Sequence, residues 1–112
     1  MQVVAATSVD EIGIHFQWFT DKGNTKHTGF LNWEEVCKAQ IFKRDLWTYD
    51  LICLALSTRE GEEIELDEED PNWTLLMEKM VTALPESRKW EHWFSEVAFP
   101  AFQPNLQIIY QR

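Results

Sequence analysis

The residues able to do chemistry crowd into one stretch. Glu60, Glu62, Glu63, Glu65, Asp67, Glu68, Glu69 and Asp70 put eight carboxylates into eleven positions. Such a block has three uses. It can be a solvated strand edge and helix start, where like charges discourage edge-to-edge pairing. It can be a docking face for a basic protein, with Glu62, Glu63, Glu65, Asp67, Glu68 and Glu69 as its contact residues. It can bind a divalent cation, but an EF-hand needs acids at fixed positions around a central glycine, and that spacing is absent.

His15, His27 and His92, with Cys37 and Cys53, are the other candidate ligands. None has a neighbour at HExxH or CxxC spacing, so neither a metal nor a cofactor is expected. His15 and His27 are placed to face each other across a hairpin. Together with Cys37 they define an alternative reading, a small-ligand or metal-dependent enzyme, which requires the three side chains to converge. Cys53 lies in the most apolar segment, where a thiolate is disfavoured. Gly13, Gly23, Gly29 and Gly61 are scattered as turn or strand glycines and form no phosphate-cradling loop.

A third group is aromatic. Trp90, Trp93, Phe94, Phe99 and Phe102 crowd the C-terminal quarter. They either pack as a stripe over a sheet or form a surface that closes a homodimer or receives a partner.

The elements that must position these residues follow from pattern. Leu51–Leu56 is an unbroken apolar run of six, as expected of a strand covered on both faces. Ile64 and Leu66 alternate with Glu63, Glu65 and Asp67, which predicts an edge strand with its acids outward. Asp70 is the expected cap of a helix opened by Pro71. Trp73, Leu76, Met77, Met80 and Leu84 then recur as a core-facing stripe. Pro85 ends that helix. Ser87 can cap a second one, in which Trp90, Trp93, Phe94 and Val97 hold helical spacing.

Upstream, Gln2–Ala6 reads as a short strand. Ile12, Ile14, Phe16 and Trp18 alternate as a half-buried strand. The turn Asp21-Lys22-Gly23-Asn24 returns the chain through Lys26–Leu31 as a hairpin. Asn32–Val36 is either one helical turn capped by Asn32 or a bulged corner. Cys37–Lys43 is a further strand, and Lys43-Arg44-Asp45 a polar connection. Leu106, Ile108 and Tyr110 alternate in a terminal strand. Strands followed by two helices predict a single α+β domain, with a mainly antiparallel sheet of five to seven strands.

Composition fits one folded domain. The chain has 112 residues, is 45% hydrophobic and carries six tryptophans. Its net charge of −9 leaves no basic stripe for phosphates, which argues against nucleic acid and anionic lipid and favours a basic partner. No apolar run approaches a membrane span, and the N-terminus lacks the pattern of a secretion signal. Two cysteines without a disulfide pattern fit a cytoplasmic protein.

The order of antiparallel strands before a covering helix resembles the pleckstrin-homology-like architecture, a split barrel, including its small bacterial relatives. Asn32–Val36 is similar to the corner those domains place before a strand. Leu51–Leu56, Glu63–Asp67 and Trp73–Leu84 are similar to their last strands and helix. The stretch Lys43–Leu54, with Ala98–Phe102, also resembles a small bacterial family of uncharacterised domains. The likeness covers roughly residues 12–84 and rests on element order. The basic cluster of phosphoinositide-binding members is reduced here to Lys22 and Lys26, so headgroup binding does not carry over. The expected function is a non-catalytic acidic interaction module, of the kind that an immunity or inhibitor protein facing a basic partner would be. The alternatives are the enzyme built on His15, His27 and Cys37, and a structural homo-oligomer.

Overall fold

The first strand element divides in two. Gln2–Val3 (β1) runs parallel to Glu63–Asp67 (β7), whereas Ala5–Val9 (β2) pairs antiparallel with Gly13–Thr20 (β3). Val4 sits at the crossing, buried, with its N–H donating to the Glu65 carbonyl at 2.9 Å. One extended segment therefore serves both sheets. The computed structural model describes residues 2–46, 48–87 and 106–112.

The remaining strands are Thr25–Asn32 (β4), Val36–Asp45 (β5), Asp50–Thr58 (β6) and Gln107–Gln111 (β8), and the one described helix is Trp73–Ala83 (α1). They build two open sheets, ordered β1-β7-β6-β5-β8 and β2-β3-β4, and the fold is α+β. The β1–β7 pair is parallel, and the other described strand pairs are antiparallel, as a mainly antiparallel arrangement requires. The second helix expected from Ser87, with Trp90, Trp93, Phe94, Phe99 and Phe102, lies outside the described residues, as does Trp47.

Local chemistry accounts for the elements. The β6 run is buried at every position from Leu51 to Leu56. The helix stripe holds: Trp73, Leu76 and Met80 are buried, and Met77 packs against the same core. Asn32 caps a single 3-10 turn over Trp33–Glu35, its Oδ1 accepting from the Glu34 N–H at 2.9 Å. The Trp33 indole fills the core while its N–H donates to the Asp10 carbonyl at 2.9 Å, so a large aromatic is buried with its polar atom satisfied.

Four expectations are corrected. Lys43-Arg44-Asp45 is not a connection but the end of β5, and Lys43 is buried against Asp50 at 3.2 Å. β7 is no simple edge, because β1 covers it at Ile64 and Glu65. In β8 the buried residue is Ile109, while Ile108 is exposed, because a bulge opposite Ala39 and Gln40 reverses the register. The residue capping α1 is Asn72, and Asp70 acts two residues earlier, accepting from the Asn72 and Trp73 amides.

Candidate functional site

The acidic block divides once each carboxylate is traced to its partner. Glu65 is not outward with its neighbours. Its side chain is 3% exposed and takes a two-pronged ion pair from Arg44, with Nε to Oε2 at 3.1 Å and Nη2 to Oε1. The Glu65 carboxylate holds the Arg44 guanidinium above its usual range. Asp67 Oδ1 accepts from the Glu69 N–H, and Glu68 Oε1 accepts from the Ile52 N–H. Tyr49 donates its hydroxyl proton to Glu69 Oε1 at 2.6 Å. Burial raises the Asp67 carboxyl, the first of several causes that include its acidic neighbours.

Asp70 completes this half. Its Oδ2 accepts from the Ala6 N–H at 2.7 Å and its Oδ1 from the Asn72 N–H at 2.9 Å. Asn72 Nδ2 returns a bond to the Ala6 carbonyl at 2.8 Å. The two side chains thus imitate a neighbouring strand and close the outer edge of β2 beside the start of α1.

The carboxylates of Glu60, Glu62 and Glu63 are different. Among the described residues they accept no hydrogen bond and join no ion pair. Glu60 and Glu62 stand on the turn between β6 and β7, where Gly61 takes a φ of 88°, and Glu63 opens β7. Glu62 and Glu63 form the acidic rim of a cleft whose other lining residues are Phe16, Phe30, Leu31, Leu56, Thr58 and Ile64. The cleft is shallow and open to solvent.

Two strand glycines make room for the Phe16 and Phe30 rings, which stand on opposite faces of the three-stranded sheet. A Cβ on Gly29 would lie 2.6 Å from the Phe16 ring, and one on Gly13 would lie 2.7 Å from the Phe30 ring. Each ring therefore lies across a cross-strand glycine. His15 adds a tilted contact to Phe30 at 4.6 Å between ring centres. Phe30 stays 43% exposed on the face it shares with His15. Sequence reasoning treated Gly13 and Gly29 as scattered glycines. A glycine inside a strand is itself a sign of close approach by a neighbouring ring, and it was the available signal for Phe16 and Phe30.

His15 and His27 do not face each other. His15 pairs with Phe30 and His27 with Trp18, which puts the two imidazoles on opposite faces of the three-stranded sheet. His27 stacks on Trp18 at 5.1 Å, and its Nε2 is 2.8 Å from the Thr20 hydroxyl. Cys37 belongs to β5 of the other sheet. The three do not converge, and among the described residues no three His, Cys, Asp or Glu side chains gather in a metal-binding group. Cys53 is fully buried beside Arg44 and Glu65, and burial pushes its thiol up to about 12. Both cysteines are free thiols.

Among the described residues no helix is long and apolar enough to cross a membrane. No protein-family model, curated protein or solved structure matches the chain.

Proposed function

We propose that the protein is a non-catalytic interaction module that docks a basic partner at the Glu60–Glu63 turn and the cleft beside it. One observation carries this reading: Glu62 and Glu63 have no internal partner among the described residues and border a solvent-open cleft with an apolar lining. An arginine or lysine meets both halves of that environment. Its methylenes lie along the accessible edges of Phe16 and Ile64 while its charge reaches the carboxylates. The chain's net charge of −9 steers such a partner toward the surface.

The docking face is therefore narrower than the sequence alone implies. Glu62 and Glu63 stay in it, and Glu60 joins them. Glu65, Asp67, Glu68 and Glu69 leave it, because their oxygens serve internal hydrogen bonds. The strand order before α1 favours a pleckstrin-homology-like scaffold without its basic first hairpin, and two free thiols suit a reducing cytoplasm. An immunity or inhibitor protein would use such a face against a cationic enzyme.

The test is a labelled arginine-rich peptide titrated against the wild type and the Glu62→Lys/Glu63→Lys variant by fluorescence anisotropy. At low salt the variant should bind at least tenfold more weakly. Equal binding by the two proteins would overturn the proposal.

A further inference from the structure

Among the described residues the long open edge is β4, and it runs into the cleft at Phe30. The other described edges are short, interrupted or closed. β1 has only two residues, β8 is bulged, and β2 is closed at Ala6 by Asp70 and Asn72. β4 pairs with β3 in one uninterrupted register, from Gly13↔Asn32 to Thr20↔Thr25.

The phase of that ladder identifies the free groups. Trp33 N–H donates to the Ile12 carbonyl at 3.0 Å, one pair beyond Gly13↔Asn32. In an antiparallel ladder, pairs that exchange hydrogen bonds alternate with pairs that do not. Leu31, Gly29 and His27 therefore bond inward to β3, while Lys26, Thr28 and Phe30 turn their N–H and C=O groups away from it. Among the described residues no hydrogen bond reaches those outward groups. Eight residues of edge span about 26 Å, enough for a strand of typical length.

We infer that the basic partner binds as an extended strand added to β4, pairing with Lys26, Thr28 and Phe30 and placing a cationic side chain beside the carboxylates of Glu62 and Glu63. This rests on the docking reading above for its charge, but not for its backbone pairing. Strand addition takes affinity from main-chain hydrogen bonds and specificity from pockets for alternate side chains. Here the edge supplies the bonds, and the open cleft rimmed by Glu62 and Glu63 receives an alternate side chain. An extended segment alternating arginine with small β-formers has the matching chemistry.

The probe is an eight-residue peptide of alternating arginine and threonine, compared with the same peptide N-methylated at every second residue, in both phases. Both are titrated against wild type, Thr28→Pro and Glu62→Lys/Glu63→Lys. Thr28 bonds outward, so proline there removes an edge donor without breaking the β3 ladder. One methylated peptide should bind wild type at least tenfold more weakly, and Thr28→Pro should weaken the plain peptide equally. The methylated pair tests the proposal on unaltered protein should Thr28→Pro fail to fold.

Binding that survives methylation and Thr28→Pro but is lost in the charge-reversed variant overturns strand addition and leaves acidic docking standing. Binding lost on methylation but unchanged by charge reversal overturns acidic docking and keeps the edge. No binding at low salt overturns both. A dimer of the protein alone that Thr28→Pro dissolves assigns the edge to a second copy and overturns the proposal.

Discussion

Three acids stand in residues 60–63 and five in residues 65–70, yet the two groups use their charge differently. In the second group every carboxylate has an internal donor: Arg44 for Glu65, the Glu69 and Ile52 amides for Asp67 and Glu68, Tyr49 for Glu69, and Ala6 and Asn72 for Asp70. In the first group none does among the described residues. The difference teaches that charge density alone does not mark a contact surface. A carboxylate whose lone pairs hold strands together has little left to offer a partner. The contrast makes a prediction: changes in residues 65–70 cost stability, and changes in residues 60–63 cost binding.

The sharpest way to break that contrast is to remove the Arg44 guanidinium. Arg44→Met leaves the Glu65 carboxylate buried without its cation. Removing one partner of a buried pair costs about 3–5 kcal/mol, and the lower end applies because the Arg44 side chain is 46% exposed and water can partly replace it. Urea unfolding should show a loss of about 3 kcal/mol. A loss under about 1 kcal/mol would place Glu65 with the solvated acids. The Arg44→Met/Glu65→Met variant should recover much of the loss, since a paired charge can be replaced by packed apolar groups at little cost.

Asp70→Ala comes next. It strips the acceptors from the Ala6 and Asn72 amides at the join between β2 and α1, at a cost of about 2 kcal/mol. Hydrogen exchange at the Ala6 amide should quicken selectively, because that bond closes the β2 edge. Uniform quickening across β2 and β3 would mean that Asp70 supports the whole sheet and not one edge.

Cys53 supplies a pH test beside the same ion pair. Its thiol is pushed up to about 12 in the folded protein from an ordinary value of 9.0. Above pH 9 the unfolded chain releases this proton and the folded chain keeps it. Stability is therefore unaffected below that pH and falls as pH rises from 9 toward 12, by at most about 1.4 kcal/mol per pH unit. Cys53→Ala should remove that part of the alkaline slope in urea unfolding between pH 8 and 10. An identical slope in the variant would mean that other groups produce it.

What was legible in the sequence is what local periodicity controls. The alternation of Ile14 and Phe16, the apolar run of β6, the Ile64 and Leu66 pair and the stripe of α1 all sit where their spacing puts them. The misread residues depend on partners far along the chain. Glu65 looks solvated until Arg44, 21 residues away, is laid across it. Lys43 is tolerated inside because Asp50 lies on the paired strand. Ile109 turns inward only because a bulge shifts β8 by one residue. The cleft was hidden for the same reason: Phe16 and Phe30 are joined to Glu62 and Glu63 by sheet packing, with no sequence motif between them.

The smallest expected effect tests the other side of the contrast. Glu62→Gln/Glu63→Gln keeps the side-chain shapes and removes two charges that no described group neutralises. Surface changes of this kind lie within about 0.5 kcal/mol, and relief of repulsion with Glu60 moves the sign toward stabilisation. Urea midpoints for the variant should therefore match or slightly exceed the wild type, most clearly at low salt. The arginine-rich peptide should nonetheless associate more slowly with it. Unchanged stability with weakened binding is the signature of residues held for a partner. A loss of more than about 1 kcal/mol would instead assign Glu62 and Glu63 to the internal network, and the acidic segment would then be structural along its whole length.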